Sequence, residues 1–335
     1  MAARLPSCEV RLPRVSPALV RNVALASVVC YAVLVVSGGA VRLTGSGLGC
    51  PDWPACYQHR LIAQLSFHPM VEDVNRLVTV GVTVVSGAAW VLALFRSPRR
   101  RDLTWLAGGL VGGVVAQIIL GGLVVLFKLN PYLVALHFLL TVVILADAVV
   151  FFHRSRIDEA ARSPSGVTPL VGRDLLLLSR LLLAALAIVT TVGTVVSGAG
   201  PHAGAPSTPA DPIKRIPIAL HSIAQLHADF ALFLIGLTLA SLFAFHQARC
   251  PDRVWRRARM MFELMVLQGA LGYTQYFLHD NAVVVELHLA GVTALWVAMI
   301  FFHLSLHEHP LVVPAKADEA LAPAPGPARP LAPVS

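Results

Sequence analysis

The sequence predicts an all-α membrane protein of eight transmembrane helices, arranged as two pseudo-symmetric four-helix bundles with both termini cytoplasmic. Three observations carry that prediction. The 335 residues are 56% hydrophobic and only 13% charged, with a mean hydropathy of +0.73, whereas a water-soluble chain carries about 25% charged residues to cover its surface. Eight apolar runs are each long enough to span a bilayer, for which roughly 20 residues suffice. The third observation is an internal repeat relating the first four runs to the last four.

The runs lie near 18–41, 71–95, 104–127, 132–152, 174–198, 221–245, 259–278 and 282–305. The first is too long for the apolar part of a signal peptide and has no convincing cleavage site, so it reads as a membrane helix. The chain divides into a cytoplasmic tail at 1–17, an N-terminal half at 18–153 with an outer loop at 44–70, and a cytoplasmic linker at 154–173. A C-terminal half at 174–305 and a Pro/Ala-rich tail at 306–335, whose composition predicts disorder, complete it.

Orientation follows from arginine. Arg4, Arg11, Arg14 and Arg21 precede or open the first run, and Arg96, Arg99, Arg100 and Arg101 lie between the second and third. Arg154, Arg156, Arg162 and Arg173 join the fourth to the fifth, and Arg249, Arg253, Arg256, Arg257 and Arg259 the sixth to the seventh. The alternate loops hold only Arg42, Arg60, Lys128, Lys214 and Arg215. The net charge of +8 is thus a topology signal, and nucleic acid is not an expected partner.

The repeat is visible residue by residue. Val35-Val36-Ser37-Gly38-Gly39-Ala40 in the first run answers Val195-Val196-Ser197-Gly198-Ala199-Gly200 in the fifth. Gln117, before Leu120-Gly121, precedes His137 by the interval that separates Gln268, before Leu271-Gly272, from His288. Both halves start on the cytoplasmic side, which makes the repeat parallel, with its axis along the membrane normal. Gly108 and Gly112, and likewise Gly109 and Gly113, share helix faces that suit close packing in lipid.

Cys50 and Cys56 lie in the first outer loop, where an oxidising compartment favours a disulfide; a metal pair is the alternative. Cys8 and Cys250 face the reducing side, and Cys30 is within the first run. Of the thirteen histidines, His137, His227 and His288 lie inside the fourth, sixth and eighth runs, about 8–9 Å below the outer helix ends at 1.5 Å per residue. An imidazole at that depth faces a functional interior rather than lipid. It serves there either as an axial ligand of haem iron or as an interhelical hydrogen-bonding group. His227 and His288 approach from different helices at similar depth, as a macrocycle between two imidazoles requires. Arg42 and Arg76 suit carboxylates such as haem propionates, or else snorkel to the interface. Glu72, Asn75 and Arg76 share a face of the second run and form a polar corner that would look across the bundle at His137.

The run Gly38-Gly39-Ala40-Val41-Arg42-Leu43-Thr44-Gly45-Ser46-Gly47-Leu48-Gly49-Cys50-Pro51-Asp52-Trp53-Pro54-Ala55-Cys56 resembles the first-loop signature of haem A synthases. Leu136-His137-Phe138, Gln225-Leu226-His227-Ala228-Asp229 and Glu286-Leu287-His288 resemble that family's histidine segments, and the likeness covers about residues 20–305. The resemblance implies a multi-pass protein of the bacterial inner membrane that oxidises a methyl group of haem O to a formyl group, making haem A for cytochrome oxidase. It implies haem b held by His227 and His288, and haem O as substrate in the N-terminal half with His137 and Glu72 catalytic. It also implies a functional pair at Cys50 and Cys56, while position alone makes Arg42 and Arg76 the candidate cofactor contacts. The implied partners are a haem O synthase supplying the substrate, an electron donor of unknown identity and membrane lipid, with homo-oligomerisation left open. One departure stands out: where the family's second helix reads Glu-x-x-His-Arg, this chain has Asn75 in place of the histidine. Two other readings compete, a b-type electron-transfer protein that needs only His227 and His288, and a transporter built on a parallel repeat.

Overall fold

The computed structural model describes residues 14–56, 64–157, 168–206 and 212–308. The basic residues Arg4, Arg11, Arg60 and Arg162, with Cys8 and nearly all of the tail expected to be disordered, lie outside them. Eight long helices make up the fold: α1 (Pro17–Leu43), α2 (Phe67–Leu94), α3 (Arg101–Leu126), α4 (Pro131–Ser155), α5 (Arg173–Ala199), α6 (Leu220–Gln247), α7 (Asp252–Phe277) and α8 (Ala282–Ser305). Two-residue strands β1 (Thr168–Pro169) and β2 (His307–Glu308) pair antiparallel just before α5 and after α8. Among the described residues, seven of the helices are long and apolar enough to cross a membrane, so the chain is a multi-pass membrane protein. The exception is α7, as long as the others at 26 residues, whose first half carries Asp252, Arg253, Arg256, Arg257, Arg259 and Glu263.

Side chains set where several helices begin. Ser16 Oγ accepts from Leu19 N ahead of Pro17, while Asn130 and Asn281 cap α4 and α8 by accepting from Tyr132 N and Val283 N. These groups satisfy amides that no intrahelical carbonyl reaches. The turns before α4 and α8 share one backbone shape. Lys128 and Leu129 have φ of 49° and 56°, and His279 and Asp280 have 53° and 58°.

Helices α1 to α4 pack in a ring, α1 on α2 and α4, and α3 on α2 and α4; α5 to α8 pack likewise, α5 on α6 and α8, and α7 on α6 and α8. Contacts of α1, α4, α5 and α8 join the two sets. In the first core Tyr31 Oη bonds Ser86 Oγ at 3.0 Å and donates to the Leu110 carbonyl at 3.2 Å. In the second, Phe245 meets Phe302 edge to face beside Met261 and Met299. Trp296 borders both cores and donates to the Val142 carbonyl, tying α8 to α4. Leu77, Val84 and Phe243, each about two-thirds exposed, belong to faces that lipid rather than water would cover.

The two ends of the helices differ in chemistry. At one end Val15 bonds with Phe95 and Ser97, Arg100 donates to the carbonyls of Arg154 and Ile157, and Leu170 N donates to the Leu306 carbonyl. At the other end the loop after α1 meets the loop after α5: Gly47 N donates to the Gly204 carbonyl, and Arg42 to the Ser197 carbonyl at 2.7 Å. The candidate functional residues lie toward this second end.

Candidate functional site

Three imidazoles define the site, and each is seated the same way. His137 on α4 lies over Gly121 of α3, His288 on α8 over Gly272 of α7, and His227 on α6 over Gly193 of α5. A Cβ at Gly121 would stand 3.2 Å from the His137 ring, at Gly272 3.5 Å from His288, and at Gly193 3.0 Å from His227. Each glycine thus lets a ring press against the neighbouring backbone. The Nδ1 atom of each ring is buried without a hydrogen bond; the Val189 carbonyl, one turn before Gly193, approaches the His227 ring without closing a regular bond. His288 lies near enough to His227 to feel its charge. Imidazoles packed on glycine with Nδ1 buried and unbonded fit the neutral state in which histidine ligates iron. Among the described residues no three His, Cys, Asp or Glu side chains converge on one point as a bare ion would need. His227 and His288 could instead hold a planar cofactor between them.

The N-terminal half carries one such ring. Gln117 Nε2 donates to the His137 carbonyl at 3.0 Å and to Thr141 Oγ1 at 2.7 Å, fixing α3 against α4 beneath the imidazole. Asn75 Nδ2 donates to Ser37 Oγ of α1 at 2.8 Å. His68, in the first turn of α2, shares a hydrogen bond with buried Ser46 at 3.0 Å.

The polar corner of α2 faces the outer loop. Cys50 and Cys56 form a disulfide, both half-cystines buried. Glu72, 6% exposed, accepts from Cys50 N at 2.8 Å through one oxygen and pairs with Arg76 at 2.8 Å through the other. Arg76 also donates to the Ala55 carbonyl at 3.0 Å and, at 3.4 Å, to those of Pro54, Cys50 and Asp52. The guanidinium thus gathers four loop carbonyls around the disulfide. The same loop sends Trp53 onto α3, where its indole lies against Gly122, next to the glycine under His137. Arg42, by contrast, bridges the halves through Ser197, and its Nε is buried without a partner.

Sequence spacing marks which helices carry the histidines but misses their seats. The signal is present, since Gly121 and Gly272 each follow a glutamine by four residues. Trp53 over Gly122 carries no such signal. Two carboxylates with buried, unbonded oxygens also escape notice: Asp147 of α4, against Gly109, and Glu286 of α8, against Gly39.

Long apolar helices with three imidazoles seated alike on glycines toward one end define a class, the multi-pass membrane protein. Comparison with known proteins gives the family. A model for the family described as "Cytochrome oxidase assembly protein" (COX15-CtaA) matches residues 21–67 and 61–300, and the chain belongs to that family. It is similar to the "Heme A synthase" of Geobacillus kaustophilus, 36% identical over 108 residues, which is 31% of this chain and 33% of the relative. The "Heme A synthase" of Geobacillus thermodenitrificans is 34% identical over 113 residues, 33% of this chain and 35% of the relative. That of Listeria monocytogenes is 28% identical over 130 residues, 37% and 41% respectively. These matches span between a third and two-fifths of the length of the relatives.

Proposed function

We propose that the chain is a haem A synthase of a bacterial inner membrane, oxidising a methyl group of haem O to the formyl group of haem A that cytochrome oxidase uses. The observation that carries this reading is the unequal placing of one kind of seat. The C-terminal half holds His227 and His288 as a pair, and the N-terminal half holds His137 opposite a helix that offers Asn75. The two rings of packed helices and their like turns support two pseudo-symmetric halves around an axis normal to the membrane. With α7 as the eighth span, both termini fall on the arginine-rich, cytoplasmic side.

In this reading His227 and His288 hold haem b, with the rings pressed on Gly193 and Gly272 so that little ordering is left to binding. A haem bound there would supply one-electron storage in the C-terminal half. His137 holds the substrate's iron, and Gln117 fixes the helix that presents it. Glu72 and Arg76 act on the substrate site by holding the disulfide loop, with Trp53, over α3 beside His137. Arg42 keeps its role as a candidate partner for a propionate, because its Nε is unused.

Haem extraction tests the proposal. Cells carrying the gene are expected to contain haem A; cells without it, or with His137→Ala, are expected to accumulate haem O. Equal haem A in all three would overturn it. A transporter would purify without the visible spectrum of haem.

A further inference from the structure

The halves differ at two positions, one on α1 and one on the helix packed against it, and the differences fit each other. Aligning Ser37 with Ser197 sets Val33 of α1, one turn earlier, at the position of Gly193 in α5; α2 packs on α1 as α6 packs on α5, which puts Asn75, bonded to Ser37, roughly where α6 carries His227. In the C-terminal half the His227 ring covers Gly193, with Cε1, Nδ1 and Nε2 at 3.0, 3.5 and 3.7 Å from an added Cβ. Even a methyl group is at the limit of contact there, and an isopropyl group would occupy the space of the ring. In the N-terminal half that isopropyl group is present. Val33 remains half-exposed, and Asn75 reaches instead to Ser37 one turn along α1, at 2.8 Å.

We propose that Val33 and Asn75 are a matched pair that restricts the N-terminal site to a single imidazole ligand, His137. Gly193 and His227 are the counterpart pair that gives the C-terminal site its second ligand. Val33 is then a positioning residue that acts through its neighbour on α2. Ser37 secures the arrangement by holding the carboxamide away from the position a ligand would take. A histidine placed at 75 alone lacks the glycine notch it needs. This inference rests on reading the three histidines as haem ligands.

The test uses the full-length protein purified with its haem, read by visible absorption and electron paramagnetic resonance in the ferric state. Gly193→Val should lower the C-terminal low-spin signal about tenfold or more, the scale of an overpacked contact. Asn75→His alone should leave the spectrum of the parent. Val33→Gly combined with Asn75→His should add a second low-spin signal of equal amplitude. The C-terminal signal of the same molecules reports that this double variant is folded. A second low-spin signal from Asn75→His alone overturns the proposal, as does an unchanged signal in Gly193→Val. So does a double variant that keeps the C-terminal signal and gains no other. A parent protein that purifies without haem and takes none up overturns the reading of the histidines, and this inference with it.

Discussion

Arg76→Ala tests what the second helix does at the outer end. In the folded protein the guanidinium is paired with Glu72 at 2.8 Å and donates to four loop carbonyls, of which Ala55 at 3.0 Å is the nearest. Removing it leaves the Glu72 carboxylate, 6% exposed, with the Cys50 amide and without its counter-charge. Stranding a fully buried charge costs about 3–5 kcal/mol. The Arg76 side chain is 26% exposed, so solvent screening lowers the loss to about 2–3 kcal/mol of local loop stability. If reduction of Cys50–Cys56 proceeds through loop opening, its rate should rise about 30- to 150-fold, at tenfold per 1.4 kcal/mol. The assay is timed reduction by an external thiol in native membranes, followed by alkylation and mass spectrometry. Arg76→Lys should fall between, since an ammonium keeps the charge but not the fork that reaches several carbonyls. A rate in Arg76→Ala within about twofold of the parent would refute the loop-holding role. It would return Arg76 to the carboxylate-binding role that its position alone suggests.

His227→Ala and His288→Ala should each abolish the low-spin haem spectrum, whereas His137→Ala should keep that spectrum while haem O accumulates; absorption spectra and haem extraction of the same preparations separate the cases. Gly122→Leu sets a side chain where the Trp53 indole lies, since a Cβ at Gly122 would stand 2.7 Å from that ring. It should displace the loop and raise the disulfide reduction rate about tenfold, measured by the same alkylation assay. Tyr31→Phe loses the bonds to Ser86 and the Leu110 carbonyl. It should lower stability by about 1–3 kcal/mol, read as a shifted unfolding midpoint in mixed micelles with the haem spectrum of the folded protein intact.

Hydropathy makes the helices legible because lipid demands long apolar runs, and seven starts are met within four residues. The largest miss is α7, expected from 259 and found from Asp252. Its first turns are rich in arginine, a good helix former that an apolar window discards. The Glu72–Arg76 pair is legible from its spacing, and the disulfide from its compartment. The direction of the polar corner is not. Sequence places Glu72, Asn75 and Arg76 on one face, but which group answers them depends on a loop twenty-two residues earlier, at the Cys50 amide, and on Ser37 of α1. Such contacts arise from tertiary packing and leave no period to read.

The differences between the halves concentrate at one end, and they are linked. Under the proposed duplication, Glu72 and Arg76 correspond to Ala224 and Ala228, residues unable to hold a loop by charge. The half with an asparagine in place of the second imidazole is therefore also the half whose second helix grips a disulfide loop. Two saturating imidazoles suit a haem that stores electrons and keeps its ligands. A substrate must enter, react and leave, which is easier when fewer protein bonds hold its iron and a separate element covers it. In the proposed reading the loop would supply that cover: Glu72 and Arg76 fix its base, and Trp53 extends it to Gly122 beside the His137 seat. Away from that end each half keeps its own buried cluster, with Ile300 of α8 packed into the first and Trp296 bordering both, so the divergence at the outer end leaves the scaffold that positions all three imidazoles in place.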